Sequence, residues 1–196
     1  PYDVLTSEEA KAESAGNPFS FYHIIKSEID LPPETDQYAP AVYEKARLTL
    51  QKFIDEGILL RDKTPCLYIY AQTMQGRTQF GLVACASVSD YLSNVIRKHE
   101  LTRPEKEADR KRHIQITNFH TEPVFFAYPD HHEIDDIISK HSASSPEYDF
   151  MAVDGIRHQF WTVEDKEAIA RIEEIFEKEI TNTYICLLYT SDAADE

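Results

Sequence analysis

Two apolar runs, residues 66–71 (CLYIYA) and 80–88 (FGLVACASV), flank a short polar stretch at 74–77 (MQGR). Aromatic and β-branched residues on both sides of a glycine-bearing turn specify a β-hairpin. A hairpin needs something to cover one of its faces, so this feature commits the chain to a sheet packed by other elements. The pattern recurs at residues 150–153 and 158–163, which flank a second glycine turn at 154–157 (DGIR).

Helical signals surround these hairpins. Thr6 and Glu9 have the spacing of a capping box, opening a short helix that the Gly-Asn-Pro stretch at 16–18 ends. Tyr43, Ala46, Leu50 and Phe53 form the apolar stripe of an amphipathic helix, closed by Gly57. Ile169, Ile172 and Phe176 form another that begins near Glu164. Residues 133–140 read as a short helix before the serine-rich stretch 142–146, and residues 19–25, 124–128 and 183–185 read as strands. Residues 30–37, with two prolines, read as an irregular loop. Strands and helices mix without strict alternation, so the fold class is α+β (mixed α/β): β-hairpins and a mixed sheet packed by amphipathic helices. There is no internal repeat and no linker, which points to one domain over residues 1–185.

Composition narrows the function classes. The net charge of −15 opposes tracking along a nucleic-acid backbone, so non-specific nucleic-acid binding is disfavoured. No apolar run approaches a membrane span, and nothing resembles a secretory signal. Cys66 and Cys85 sit in the apolar runs and read as buried thiols rather than as a disulfide framework, which fits a reducing cytoplasm.

The densest chemistry lies at residues 94–113. Thr102 and Glu105 read as a capping box, with Pro104 in the first turn. From there Lys106, Asp109, Arg110 and His113 share one helical face. His99, Glu100 and Arg103 lie on the segment leading to the helix N-terminus, where a partial positive charge favours anions. Arg103, Lys106 and Arg110 are suited to phosphate oxygens. Glu100 or His99 is suited to general-base work, and Asp109 to orienting a base or holding a metal. The same residues also fit a solvated helix face laced with ion pairs, and the spacing alone leaves both readings open. The histidines at 113, 120, 131, 132 and 141 lack ligand spacing and read as surface residues, so no metal site is assigned. Trp161 reads as core. Phosphate-binding, dinucleotide-binding and nucleophile-elbow glycine motifs are absent from the sequence.

The block at 98–110 (KHELTRPEKEADR) resembles the signature of domain of unknown function family 1015, a family of conserved bacterial proteins. Further blocks follow that family's order: 1–5 (PYDVL), 16–32 (GNPFSFYHIIKSEIDLP), 65–70 (PCLYIY), 81–91 (GLVACASVSDY) and 122–126 (EPVFF). Residues 186–196 (CLLYTSDAADE) look instead like a translated sequencing adapter and are set apart from the fold. In the family a segment of the form A-D-G-H-H-R follows the counterpart of residue 185. It is similar to a motif of the ParB/sulfiredoxin-like superfamily, whose members bind nucleotide phosphates and in some cases transfer phosphoryl groups. The resemblance therefore implies an enzyme that binds a nucleotide or small phosphorylated metabolite, phosphotransferase-like. The alternative is a non-catalytic anion-binding or regulatory module. No cofactor is assigned.

Overall fold

The computed structural model describes residues 5–98 and 103–187. In chain order the elements are α1 (Ser7–Ser14), α2 (Tyr22–Ile25), a 3₁₀ turn (Ser27–Asp30), α3 (Pro40–Asp55), β1 (Leu67–Met74), β2 (Arg77–Val83) and α4 (Val88–Leu92). They continue with β3 (Ile96–Arg97), α5 (Pro104–Thr117), β4 (Phe125–Ala127), α6 (His132–Ser142), β5 (Tyr148–Met151), β6 (Arg157–Val163), α7 (Lys166–Lys178) and β7 (Thr183–Leu187). Helices beside one antiparallel and one mixed sheet make this an α+β fold. None of the described helices is long and apolar enough to cross a membrane. The chain divides into two compact units, one drawn from Pro1–Arg61, Lys98–Phe126 and Ile185–Glu196, the other from Asp62–Arg97 and Ala127–Tyr184.

The first unit is built mainly of helices. The capping box at the start of α1 forms as its sequence requires: Thr6 Oγ1 accepts from Glu9 N–H at 3.2 Å, and the Glu9 carboxylate accepts from Thr6 N–H at 2.8 Å. Tyr43, Ala46, Leu50 and Phe53 are all buried along α3, and Gly57 takes a positive φ of 70° just after the helix. Residues 19–25 do not form the expected strand. Asn17 Oδ1 accepts from Phe19 N–H at 3.1 Å and Ser20 Oγ accepts from Tyr22 N–H at 3.4 Å. These side chain–backbone bonds curl the segment into turns and then α2 despite its aromatic and β-branched content. Ile24 is left fully buried against Leu50 and Phe53. Helix α5 begins one residue later than the sequence suggested. Arg103 is its N-cap residue, with φ −64° and ψ 127°, because the residue before proline is pushed to extended backbone. Thr102 lies outside the described residues.

The second unit contains both hairpins. β1 and β2 pair antiparallel, with Met74 opposite Arg77, and the intervening Gln75 and Gly76 have φ of 52° and 79°. Two left-handed residues in succession give the turn whose twist matches the strands. β5 and β6 pair in the same sense, and β6 also pairs with β1, giving the order β2-β1-β6-β5. Alternation sends Ile69, Ala71, Trp161 and Val163 to one face, where Ile134 and Ile138 of α6 and Ile175 of α7 cover them. Trp161 is core, as its sequence context suggested, and its Nε1–H donates to Ser144 O at 2.9 Å.

The second apolar run is shorter than expected. β2 stops at Val83, and Ser87 Oγ caps α4 by accepting from Asp90 N–H, so Val88 starts a helix. Cys85 is consequently exposed and Cys66 half-buried, in place of two buried thiols. His131 is likewise no plain surface residue. It is half-buried, with Nε2 3.1 Å from the Glu179 carboxylate. β3 and β7 run parallel, Ile96 opposite Thr183. β7 extends the expected strand through Cys186 and Leu187.

Candidate functional site

One turn of α5 separates Lys106 from Asp109 and Arg110, and another brings in His113, so their side chains leave the helix on one side. That side forms a wall of a cleft of about 360 Å³ within the first unit. Thr6 and Ser7 at the start of α1, Lys26, Ser27 and Glu28 around the 3₁₀ turn, and Gln37, Tyr38 and Tyr43 add to its polar lining.

Asp109 is the hub of this wall. It is buried, and its Oδ1 accepts from the Tyr43 hydroxyl at 2.7 Å. Its Oδ2 accepts from Arg110 Nε and Nη2 at 3.0 and 2.8 Å. Arg110 reaches on to Glu122 Oε2 through Nη1 at 3.3 Å. Burial pushes the Tyr43 hydroxyl well above the usual phenol range, and the bond to the Asp109 carboxylate pushes it further, so Tyr43 stays a donor. Arg112 lies over the Tyr43 ring at 5.5 Å. Asp109 therefore positions Arg110 and Tyr43, with both its oxygens already committed.

His113 is almost wholly buried, and its Nε2 lies 3.1 Å from Ile24 O. A carbonyl only accepts, so that nitrogen carries the proton. Burial holds the ring below the ordinary imidazole range and the Arg110 charge lowers it further, although the Ile24 bond and Asp109 act the other way. The ring is neutral at neutral pH.

Lys106 Nζ lies 3.4 Å from the Tyr38 hydroxyl. Lys26 is buried, with Nζ 3.8 Å from Glu28 Oε1, and that same oxygen accepts from Ser7 Oγ at 2.7 Å. Among the described lining residues, Lys26, Lys106 and Arg110 thus face the carboxylates of Glu28 and Asp109, in a chain whose net charge is −15.

Of the residues singled out from sequence, Lys106, Asp109, Arg110 and His113 meet in the cleft, His113 being buried there rather than the surface histidine expected. Arg103 does not line it: its side chain is 43% exposed and paired with Glu105 at 2.8 Å. His99 and Glu100 lie outside the described residues. Sequence reasoning missed Lys26, embedded in an apolar run, and Tyr43, which looked like one more member of the α3 stripe. The Tyr43 ring is indeed core, but its hydroxyl serves the cleft.

The family model described as Protein of unknown function (DUF1015) matches residues 1–186. The chain belongs to this family. No curated protein and no solved structure matches it. In this DUF1015 member, three of the sequence blocks that carried the resemblance come together in the first unit. Residues 16–32 bring Lys26 and Glu28, residues 98–110 bring Lys106, Asp109 and Arg110, and residues 122–126 bring Glu122.

Proposed function

We propose that the first-unit cleft binds a small phosphate-bearing ligand, a nucleotide or phosphorylated metabolite. The observation that carries this reading is the gathering of Lys26, Lys106 and Arg110 in one cleft of an acidic chain, beside the Tyr38 hydroxyl. Lys26, Lys106 and Arg110 supply charge, and Tyr38, whose hydroxyl oxygen accepts from Lys106, supplies an O–H group. The volume of about 360 Å³ lies toward the lower end of the range of roughly 300–1,000 Å³ for ligand pockets. That suits a compact phosphorylated metabolite better than an extended dinucleotide. On this reading Arg110 holds phosphate oxygens and Lys106 neutralises them. His99 and Glu100 remain the residues proposed for proton transfer. The acidic chain is read as a cytoplasmic protein that leaves nucleic-acid backbones alone.

A second reading, a non-catalytic anion-binding or regulatory module, is favoured by one specific observation. Asp109 has both oxygens committed to Tyr43 and Arg110, so it is no unengaged acid or base. Both readings require binding, and isothermal titration with inorganic pyrophosphate tests it. Arg110→Ala should weaken binding by about 1.5–3 kcal/mol, the usual worth of a charged hydrogen bond, with Arg110→Lys recovering part. Undiminished affinity in Arg110→Ala removes the cleft from consideration. Phosphoryl transfer to a hydroxyl acceptor, lost in Glu100→Gln while binding is kept, separates enzyme from module.

A further inference from the structure

In the second unit, β5 (Tyr148–Met151) is an edge strand of the four-stranded sheet. Ala152 N–H donates to Ile156 O at 2.9 Å, which sets the phase of the ladder. Main-chain groups alternate in and out along an antiparallel strand. The main-chain groups of Phe150 and Tyr148 therefore face β6, in register with His158 and Phe160, while the N–H and C=O of Asp149 and Met151 point off the edge, where no described strand pairs with β5. Glu147 departs from the alternation, since its N–H turns back to Phe160 O at 2.8 Å. The open stretch thus begins at Asp149.

Such an edge templates another strand unless lysine, proline or an unpaired charge blocks it. Tyr148–Met151 contains no lysine or proline, and its single charge, Asp149, is held by Arg157 Nε at 2.8 Å. Apolar side chains are exposed on both faces: Tyr148 (58%) and Phe150 (55%) on one, Met151 (63%) on the other.

We infer that β5 pairs antiparallel with β5 of a second copy of this chain, with the two-fold axis beside Phe150. The free groups choose the register. With Phe150 opposite itself, Asp149 faces Met151 and Met151 faces Asp149, and each pair exchanges both of its main-chain bonds. Sliding the strands so that Asp149 faces itself sets like charges directly opposite and uses Glu147, whose N–H is already engaged. Sliding them the other way sets Asp149 against Val153, inside the turn that Gly155 N–H closes on Ala152 O. Only the central register matches apolar to charged-but-neutralised residues throughout. It also continues a row of near-parallel rings. Tyr70 and His158 are inclined by 14°, His158 and Phe150 by 18°, and the partner's Phe150 follows at the closest approach of the strands. The strand complements itself, which is why the occupant is a second copy. So short a contact falls below the roughly 1,000 Å² of a stable interface, and a chain charge of −15 opposes it, so the dimer is weak.

Sedimentation velocity across a wide concentration range, in moderate salt, tests this on the chain as it stands. A reversible monomer–dimer equilibrium is expected, abolished by F150K and, separately, by F150E. It is also abolished by M151P, which removes an outward N–H. Mixing F150K with F150E should restore a dimer, because the two charges then face each other, and this also shows that both variants fold. A chain that stays monomeric at every concentration overturns the proposal. So does a dimer indifferent to F150K, which places the contact elsewhere, or a mixture no more associated than its components.

Discussion

Asp109 shows how one buried carboxylate organises a cleft without lying at its centre. Replacing it by alanine strands Arg110 and the Tyr43 hydroxyl together, although Arg110 keeps Glu122. Asp109→Ala should therefore cost about 2–3 kcal/mol in urea unfolding, and Tyr43→Phe about 1.5 kcal/mol, with the double variant falling short of the sum. His113 makes a pH-dependent contribution of definite sign. Its folded-state pKa lies below its unfolded value, so the unfolded chain takes up the extra proton first. The stability that neutral His113 supports is present above about pH 6.5 and is lost as pH falls through the depressed folded value. His113→Gln should have a shallower loss of stability than the wild type below that point, measured as the difference between their urea midpoints. A steeper acid limb in the variant would reverse the sign of this assignment.

At the scale of elements, what the sequence disclosed was local. The capping box of α1 and the stripes of α3 and α7 form where their patterns fall, and both hairpins form with strand ends shifted, β2 stopping at Val83 and β5 spanning Tyr148–Met151, because turn chemistry and periodicity act over a few residues. The turn between β1 and β2 depends on Gly76 at φ 79°, so Gly76→Ala should destabilise by roughly 1–2 kcal/mol in thermal or urea unfolding. Residues 19–25 were misread because Asn17 and Ser20 bond to nearby backbone, and side chain–backbone bonds leave no periodicity to detect. One wall of the candidate site was legible, since Lys106, Asp109 and Arg110 follow helical spacing. The facing wall was not. Tyr43 meets Asp109 across 66 positions of sequence, and His113 meets Ile24 across 89. Only the packing of α3 and of the residues around Ile24 against α5 closes those distances.

For the whole molecule, the central tension is between a net charge of −15 and a cleft whose described lining gathers Lys26, Lys106 and Arg110. A uniformly acidic surface would repel phosphate, so attraction has to arise within the first unit. It should weaken with salt less steeply than an exposed contact, because Lys26 is buried and Arg110 mostly so. The most direct measurement is backbone amide chemical-shift mapping during titration with inorganic phosphate and pyrophosphate. Saturable shifts should cluster at Ser7, Lys26, Glu28, Lys106, Arg110 and His113, with Lys106→Ala raising the apparent Kd several-fold. Saturable shifts confined to other parts of the chain, or none at all at high ligand concentration, would contradict the assignment of this cleft to a phosphate-bearing ligand.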